Sequence, residues 1–329
     1  MKAKMIRMLG RSGIQVSAMG LGSWAIGGPF WRGDAAVGWG EVDDDESIRA
    51  IHAALDLGVC FIDTANVYGA GHSERVIGRA LAGRRDQVVV ATKFNSLFDE
   101  DTRQVTGADA SPAGIRQACE DSLRRLDTET IDLYQFHNGG YDLEAAVEVR
   151  ETLEALVAEG KIRAYGWSTD DPVRARLFAE GENCASVQHQ MNVLNDNGPM
   201  VALCEELDLA SINRGPLAMG LLTGKYKADS KLGDDDVRGA QGPAWMQYFK
   251  DGKPNPEWYE KVEAVRDVLT SGGRTLVQGA LAWLWARSDK TVPIPGFRTV
   301  AQVEENCGAM QYGPLSEKQM VEIEGILER

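Results

Sequence analysis

Four titratable side chains stand at or just beyond the ends of β-rich runs in the first half of the sequence. Asp63 follows Gly58-Val59-Cys60-Phe61-Ile62, and Tyr68 lies five residues on, in Thr64-Ala65-Asn66-Val67-Tyr68-Gly69. Lys93 follows Gln87-Val88-Val89-Val90-Ala91-Thr92. His137, with Asn138 beside it, follows Ile131-Asp132-Leu133-Tyr134-Gln135-Phe136. Each alone is ordinary: an Asp at a strand end caps the next turn, a loop Tyr packs, and a Lys faces solvent. Together they are a carboxylate, a phenol, an amine and an imidazole, groups able to hold and move protons. Three consecutive strands would bring all four to one rim.

What must position them is a regular alternation of strands and helices. Beyond the three runs above, strands are expected from Lys161 to Trp167, at Ser186-Val187-Gln188, at Leu209-Ala210-Ser211-Ile212 and at Thr291-Val292-Pro293-Ile294. A weaker first strand sits near Ala18-Met19-Gly20-Leu21, which makes eight. Between them Ile48, Ile51 and Leu55 share a helical face, as do Ile115, Cys119, Leu123 and Leu126. Ser111-Pro112 supplies an N-cap with proline at the first helical position. A helix carrying Leu153, Leu156 and Val157 stops at Gly160. Strand then helix, about eight times, implies a parallel sheet closing into an α/β fold of the (β/α)8 TIM-barrel type, whose reactive groups gather at the C-terminal ends of the strands. A doubly wound open sheet is the alternative, weakened because no GxGxxG follows the first strand.

Some segments exceed what a barrel needs. Residues 5–17 have the pattern of an N-terminal β-hairpin able to plug the barrel bottom. Residues 223–256, with Asp234-Asp235-Asp236 and several Gly and Pro, form a long loop after strand seven, and residues 316–328 an extra C-terminal helix. The first loop is rich in glycine and tryptophan. Asp43-Asp44-Asp45-Glu46 suits the first turn of a helix, where carboxylates complement the dipole. Asp234 to Asp236 reads as a solvated loop tip, or else as part of a lid. No break in composition divides the chain, so residues 1–329 are read as a single domain.

Composition narrows the function classes. Of 329 residues, 35 are basic and 49 acidic, a formal net charge of −14. That excludes the basic footprint of a nucleic-acid binder and disfavours anionic membranes. An anionic ligand would need a local basic site. No run reaches the ~20 apolar residues of a membrane span, and Met1-Lys2-Ala3-Lys4 leads into polar sequence instead of an apolar signal core. Five scattered cysteines without a CxxC pair suit free thiols in the cytoplasm. No Cys/His cluster suggests a metal.

Phe61-Ile62-Asp63-Thr64-Ala65-Asn66-Val67-Tyr68-Gly69 resembles the DTAxxYG signature of the aldo-keto reductases. Ala91-Thr92-Lys93, Asp132 to His137, Gly166-Trp167-Ser168, Gly215-Pro216-Leu217 and Ile294-Pro295-Gly296 follow in family order. The Arg-Gly-Pro-Leu string from Arg214 resembles the bacterial branch related to potassium-channel β subunits. The resemblance implies a (β/α)8 barrel binding NADP(H), with NAD(H) possible, and a catalytic tetrad for carbonyl reduction. Tyr68 would protonate the developing alkoxide, Lys93 would lower the phenol's pKa, Asp63 would hold Lys93, and His137 would orient the carbonyl. By the same resemblance, Ser168, Thr169 and Gln190 hold the nicotinamide carboxamide. Arg214 takes the place of a stacking tyrosine, in a segment that continues through Gly215, Pro216 and Leu217. The helix beginning after Gly296 and Arg298 would hold the adenosine 2′-phosphate, with Gln302, Glu305 and Asn306 along the adenosine half. A helix N-terminus beside an arginine suits a phosphate.

The substrate expected is a small carbonyl compound. Trp24 and Asn138 stand foremost as pocket residues by their strand-end positions, with Phe30, Trp31, Trp39, Phe94 and Trp167 as further aromatics within reach. The main reading is an NADPH-dependent reductase of aldehydes or ketones. The alternative is a nicotinamide-cofactor-binding interaction subunit with slow or vestigial turnover. Whether the chain acts as a monomer or a homo-oligomer is left open.

Overall fold

The computed structural model describes residues 5–329, so Met1-Lys2-Ala3-Lys4 lie outside the described residues. Its centre is one parallel sheet in sequence order: β1 (Leu21–Gly22), β2 (Phe61–Asp63), β3 (Val89–Phe94), β4 (Ile131–Phe136), β5 (Ile162–Ser168), β6 (Cys184–Gln190), β7 (Ala210–Arg214) and β8 (Thr291–Pro293). Register pairs include Leu21 with Ile62, Phe61 with Val89, Leu133 with Ala91 and Ile131 with Ile162. On the far side Gly166 pairs with Ser186, Ser186 with Ala210 and Ser211 with Thr291. The sheet closes on itself. Gly20 N–H donates to the Pro293 carbonyl at 2.9 Å and Gly22 N–H to that of Pro295 at 3.0 Å, and Gly22 bridges to Gly296. A Cβ on Gly22 would lie 2.6 Å from the Ile294 carbonyl oxygen, so this seam admits only glycine. The fold is the expected (β/α)8 barrel.

Helices α1 (Asp44–Asp56), α2 (His72–Ala80), α3 (Pro112–Leu126), α4 (Leu143–Ala158), α5 (Pro172–Ala179), α6 (Gly198–Glu206), α7 (Pro256–Thr270), α8 (Leu276–Arg287), α9 (Val300–Gly308) and α10 (Glu317–Ile326) surround the sheet. Their starts follow local chemistry. Asp43 accepts from the N–H groups of Asp45 and Glu46, and Ser111 accepts from Gly114 ahead of α3 with Pro112 at its start. Thr275 and Ser316 each form a capping box. Helix α7 is inserted between β7 and α8, and α10 packs on both. No helix among the described residues is long and apolar enough to cross a membrane.

Strand alternation sorts side chains to two faces. Phe61, Val89, Ala91, Leu133, Ala164, Ala210, Ile212 and Val292 point into the lower barrel. There they meet Leu9, Ile14 and Val16 of the hairpin Ile6–Met8/Gln15–Ser17. The hairpin therefore plugs the bottom. Ile62, Val90, Phe94, Tyr134, Phe136, Tyr165 and Trp167 face outward under the helices. Two residues up the inward face stand Asp63, Lys93 and Gln135, and four residues beyond Ala164 stands Ser168. A polar layer thus caps an apolar one.

The structure extends the expectations at the rim. Strand β2 begins at Phe61, because Gly58, at φ 94°, still belongs to the turn that closes α1. Strand β6 extends through Gln190. The loops after β1 and β3 join in a four-stranded sheet of Trp31–Arg32, Ala35–Ala36, Ser96–Asp99 and Gln104–Ala108. Within residues 223–256, Phe249–Lys250 and Lys253–Pro254 pair antiparallel.

Candidate active site

The polar layer is organised around a buried ion pair. Lys93, fully buried on β3, donates through Nζ to Asp63 Oδ1 at 2.5 Å and to the Thr64 carbonyl at 2.8 Å. The second Asp63 oxygen accepts from Gln135 Nε2 at 2.9 Å and Gln188 Nε2 at 2.7 Å. Neither glutamine figures among the expected site residues. The signal was available: Gln135 is two residues before His137, and Gln188 two before Gln190, hence on the same strand face. A buried carboxylate with three donors holds the lysine in one place. Burial works against the lysine's charge, but Asp63, then Tyr68, outweigh it and raise its pKa above the ordinary value.

Tyr68 is delivered by the loop after β2. Its hydroxyl lies 3.5 Å from Lys93 Nζ, and the ammonium sits 5.1 Å from the ring centroid. Beneath the loop, Thr64 and Ser23 hydroxyls each lie 2.9 Å from Ser73 Oγ, and Ser23 Oγ donates to the Asp63 carbonyl. Gly69, at φ 62°, passes so close to Gly27 that a Cβ would overlap its carbonyl oxygen, which accounts for the glycine after Tyr68. His137, just past β4, meets the Tyr68 ring edge-on at 6.2 Å, and its Nδ1 is buried without a hydrogen-bond partner.

The electrostatics correct one expectation. Burial pushes the Tyr68 phenol up, Lys93 pulls it down and Asp63 pushes it up again, leaving a pKa above the ordinary tyrosine value. Lys93 acts in the expected direction but does not lower the phenol overall. Tyr68 is therefore protonated near neutrality. Burial, then the charges of Lys93, Arg214 and Arg32, push His137 down to about 3, so the imidazole is neutral. The arrangement presents a protonated phenol and a neutral imidazole beside a fixed cation.

Tryptophans wall the mouth. Trp24 stacks on Tyr68 with centroids 5.9 Å apart and 19° between planes, and its Nε1–H donates to the Val37 carbonyl. Trp39 meets Trp24 edge-on at 5.3 Å. Segment 223–256 crosses the rim and is fastened on both sides. Val237 N–H donates to the Gly38 carbonyl, and Asp236 bridges to Trp39. Buried Arg238 pairs with Asp236 at 2.6 Å, lies 4.4 Å over the Trp39 ring and donates to the Tyr226 hydroxyl. At the far side the Tyr248 hydroxyl accepts from Gln190 and Asn192, each at 2.9 Å. Asp236 is thus a half-buried tether and not part of a solvated tip.

The remaining aromatic candidates divide. Phe94 and Trp167 are fully buried on the outer face, packed against Phe136, and Phe30 lies under the loops with Ala65 and Val67. None of these three lines the mouth. Asn138 serves its own turn: Oδ1 accepts from Gly140 N–H, and its carbonyl takes the Trp167 indole N–H.

The expected cofactor residues lie along the rim from β5 to α9. Ser168 is buried next to Gln188 in register, and Thr169 donates to the Gly139 carbonyl. Arg214 pairs with Asp170 and donates to Gln190 Oε1 at 3.2 Å. Asn192 fixes the Gly215 carbonyl, ahead of buried Pro216 and Leu217. At α9 the donors are engaged. Arg298 donates to the main-chain carbonyls of Trp39 and Glu41, Gln302 accepts from Arg298 N–H, and Glu46 accepts from Val300 N–H. Asn306 is buried and donates to the Gly296 carbonyl, while the Glu305 carbonyl takes Gln278. No metal-ligating cluster occurs among the described residues.

Comparison with known proteins agrees with this geometry. The profile of the family described as Aldo/keto reductase family matches residues 18–328. Aldo-keto reductase YhdN of Bacillus subtilis (strain 168) is 32% identical over 301 residues, covering 89% of this chain and 85% of that protein. The structure of the glycerol dehydrogenase AKR11B4 from Gluconobacter oxydans superposes with a TM-score of 0.81 at 33% identity, covering 100% and 96% of the two chains. An aldo/keto reductase from Klebsiella pneumoniae in complex with NADP and acetate superposes at 0.71 with 25% identity, covering 99% and 96%.

Proposed function

This chain belongs to the aldo/keto reductase family, and on that premise we propose that it is an NADP(H)-dependent oxidoreductase reducing aldehydes or ketones to alcohols, with Tyr68 as the general acid. The observation that carries this reading is the Tyr68 hydroxyl, 3.5 Å from an ammonium that Asp63 holds in place.

The donor set suits the cofactor. Ser168, Thr169 and Gln190 offer hydroxyl and amide groups for a carboxamide, and Arg214 presents a planar cation beside them. The Arg298 guanidinium hydrogen-bonds only main-chain carbonyls and has no carboxylate within ion-pair distance among the described residues. Its charge is thus free for the 2′-phosphate carried by NADP, the nucleotide found with the Klebsiella pneumoniae relative. When bound, the reduced nicotinamide supplies the hydride that reaches the carbonyl carbon.

The chain's own residues manage the oxygen. Neutral His137 donates a hydrogen bond to the carbonyl and orients it, and Tyr68 passes its proton to the oxygen as negative charge develops there. Lys93 steadies the phenolate left behind, which recovers a proton from solvent. One carbonyl, one NADPH and one proton give one alcohol and one NADP. The five cysteines are unpaired, four of them buried, which suits work in the reducing cytoplasm.

NADPH oxidation measured with a panel of aldehydes and ketones tests the reading. Turnover is expected with the wild type, and Tyr68→Phe is expected to lower kcat by about 10²–10⁴ while nucleotide binding persists. Robust nucleotide binding with no turnover of any carbonyl would overturn it in favour of a binding subunit.

A further inference from the structure

Three hydroxyls beneath the Tyr68 loop are fully buried and take no part in the chemistry above: Ser23 after β1, Thr64 after β2 and Ser73 in the first turn of α2. Counting hydrogens fixes how they are joined, because each hydroxyl has one to give. Ser23 gives its own to the Asp63 carbonyl at 2.9 Å. Ser73 Oγ, 2.9 Å from Ser23 Oγ and 3.2 Å from the Ser23 carbonyl, must therefore donate towards Ser23. That leaves Ser73 Oγ as the acceptor for Thr64, also at 2.9 Å. The chain runs one way, from Thr64 through Ser73 and Ser23 to the Asp63 carbonyl.

Asp63 and Thr64 are neighbours, so the chain begins and ends on the two residues that hold Lys93. The Asp63 carboxylate and the Thr64 carbonyl both accept from Lys93 Nζ. Ser73 is the middle member and has a second hold. Helix α2 opens at Gly71, which has no side chain to cap it, and the first-turn N–H of Ser73 donates instead to the Tyr68 carbonyl at 3.2 Å. One residue thus grips the main chain of the proton donor and, through its hydroxyl, the two acceptors that place the cation. Glu74, next in the helix and fully buried, accepts from Thr92 Oγ1 at 2.6 Å and from Arg125 Nε at 2.7 Å. Thr92 immediately precedes Lys93 on β3. The first turn of α2 is therefore tied to Tyr68, to Asp63-Thr64 and to β3, whose mutual placement sets the 3.5 Å between phenol and ammonium.

Resting on the reductase reading above, we propose that Ser73 is a positioning residue for proton transfer, its hydroxyl bracing Asp63 and Thr64 so that Lys93 stands at a fixed distance from Tyr68. An alanine there leaves Thr64 without an acceptor and Ser23 Oγ without a donor, both in a buried place where an unpaired hydroxyl is costly. Bonds in such a chain also strengthen one another, so losing the middle one weakens both ends. As the Asp63-Thr64 main chain relaxes, it carries Lys93 with it. A wider gap weakens the cation's pull on the phenol, and the phenolate left by proton transfer is less steadied.

The test is steady-state kinetics of wild type, Ser73→Ala and Ser73→Cys across the alkaline range, with NADPH and an aldehyde that the wild type reduces. Cysteine is close to serine in size and keeps a weak donor and a weak acceptor. In Ser73→Ala, kcat is expected to fall about ten- to a hundredfold and its alkaline limb to move to higher pH, with the KM for NADPH unchanged. Ser73→Cys is expected to lie between Ser73→Ala and wild type in both readouts. A Ser73→Ala enzyme that loses thermal stability but keeps the wild-type kcat and limb has lost only packing, and overturns the proposal. So does one whose loss falls on the KM for NADPH instead of kcat. If Ser73→Ala does not fold, Ser73→Cys decides alone, by whether its limb is displaced from that of wild type. A wild type inert towards every carbonyl tested would remove the reductase reading and this inference with it. An active wild type whose limb neither variant moves removes this inference alone.

Discussion

Arg298 donates to the main-chain carbonyl of Trp39 at 3.0 Å, so the cation expected to hold a nucleotide phosphate is also bound to the wall of the mouth. A phosphate arriving here would compete with these two carbonyls for the guanidinium's N–H groups. Exchanging two neutral carbonyl acceptors for a dianion is favourable, since charge-assisted hydrogen bonds are about twice as strong as neutral ones. Arg298→Ala is therefore expected to raise the KM for NADPH about tenfold or more and that for NADH about twofold at most. Steady-state kinetics with both nucleotides read this directly. Equal effects on both would remove the phosphate role.

Glu46 bears on the same place with the opposite sign. Its carboxylate accepts from Val300 N–H at the start of α9. That bond first, then Arg49, hold its pKa below the ordinary carboxylate range. It is thus an anion where a second anion is expected. Glu46→Gln keeps an acceptor and removes the charge, so the KM for NADPH should fall about two- to fivefold, with a smaller change for NADH. The effect should shrink as salt rises.

The buried pair of Lys93 and Asp63 makes a stability prediction. Lys93→Met leaves a carboxylate with two neutral donors and no cation, a change expected to cost about 3–5 kcal/mol. The double variant Lys93→Met/Asp63→Asn removes the unpaired charge and should recover part of that loss in urea unfolding. The pH dependence follows from the raised lysine pKa. Lys93 contributes its full stability below about 10.5, the value of a free lysine, and loses it as pH rises through the higher folded value. No part of this pair's contribution by way of the lysine is lost at neutral pH.

His137 and His189 shift in the opposite direction to Lys93. Burial pushes His137 down to about 3 and His189 to about 4. Each binds a proton more readily unfolded, near 6.5, than folded, so each favours the fold above 6.5 and withdraws that support as pH falls towards the folded value. The unfolding midpoint should therefore decline between pH ~6.5 and ~4, and His137→Gln should flatten part of that slope. Over the same interval, His137 should add no titration to kcat. An acid limb in kcat centred near 6.5 that vanishes in His137→Gln would contradict a neutral, buried imidazole.

The eight strands and the gathering of Asp63, Tyr68, Lys93 and His137 on one rim were legible because both rest on local pattern: runs of β-branched residues, and polar residues placed just past them. The sequence also showed that segment 223–256 was surplus to the barrel. What it hid depends on contacts between distant segments. Asp236 looks like one of three solvated acids until Arg238 folds back on it against Trp39. Phe94 looks like a pocket residue because it follows Lys93. Yet adjacent residues on a strand face opposite ways, so if Lys93 points in, Phe94 must point out, as the structure shows. The phenol's pKa escaped for another reason. The pull of Lys93 was legible, but the opposing burial belongs to the packed loop and is written in no single residue.

The seam between β1 and β8 also dictates an order of events. The N–H groups of Gly20 and Gly22 donate to the carbonyls of Pro293 and Pro295, and nearby the Trp285 indole reaches the Ala18 carbonyl across 267 positions of chain. Strands β2 to β7 each pair with a sequence neighbour, a short loop closure, whereas the seam brings together segments almost a chain length apart. Folding can therefore zip around the barrel before the ends meet. By loop-closure entropy the seam is expected to be the last part of the barrel to form.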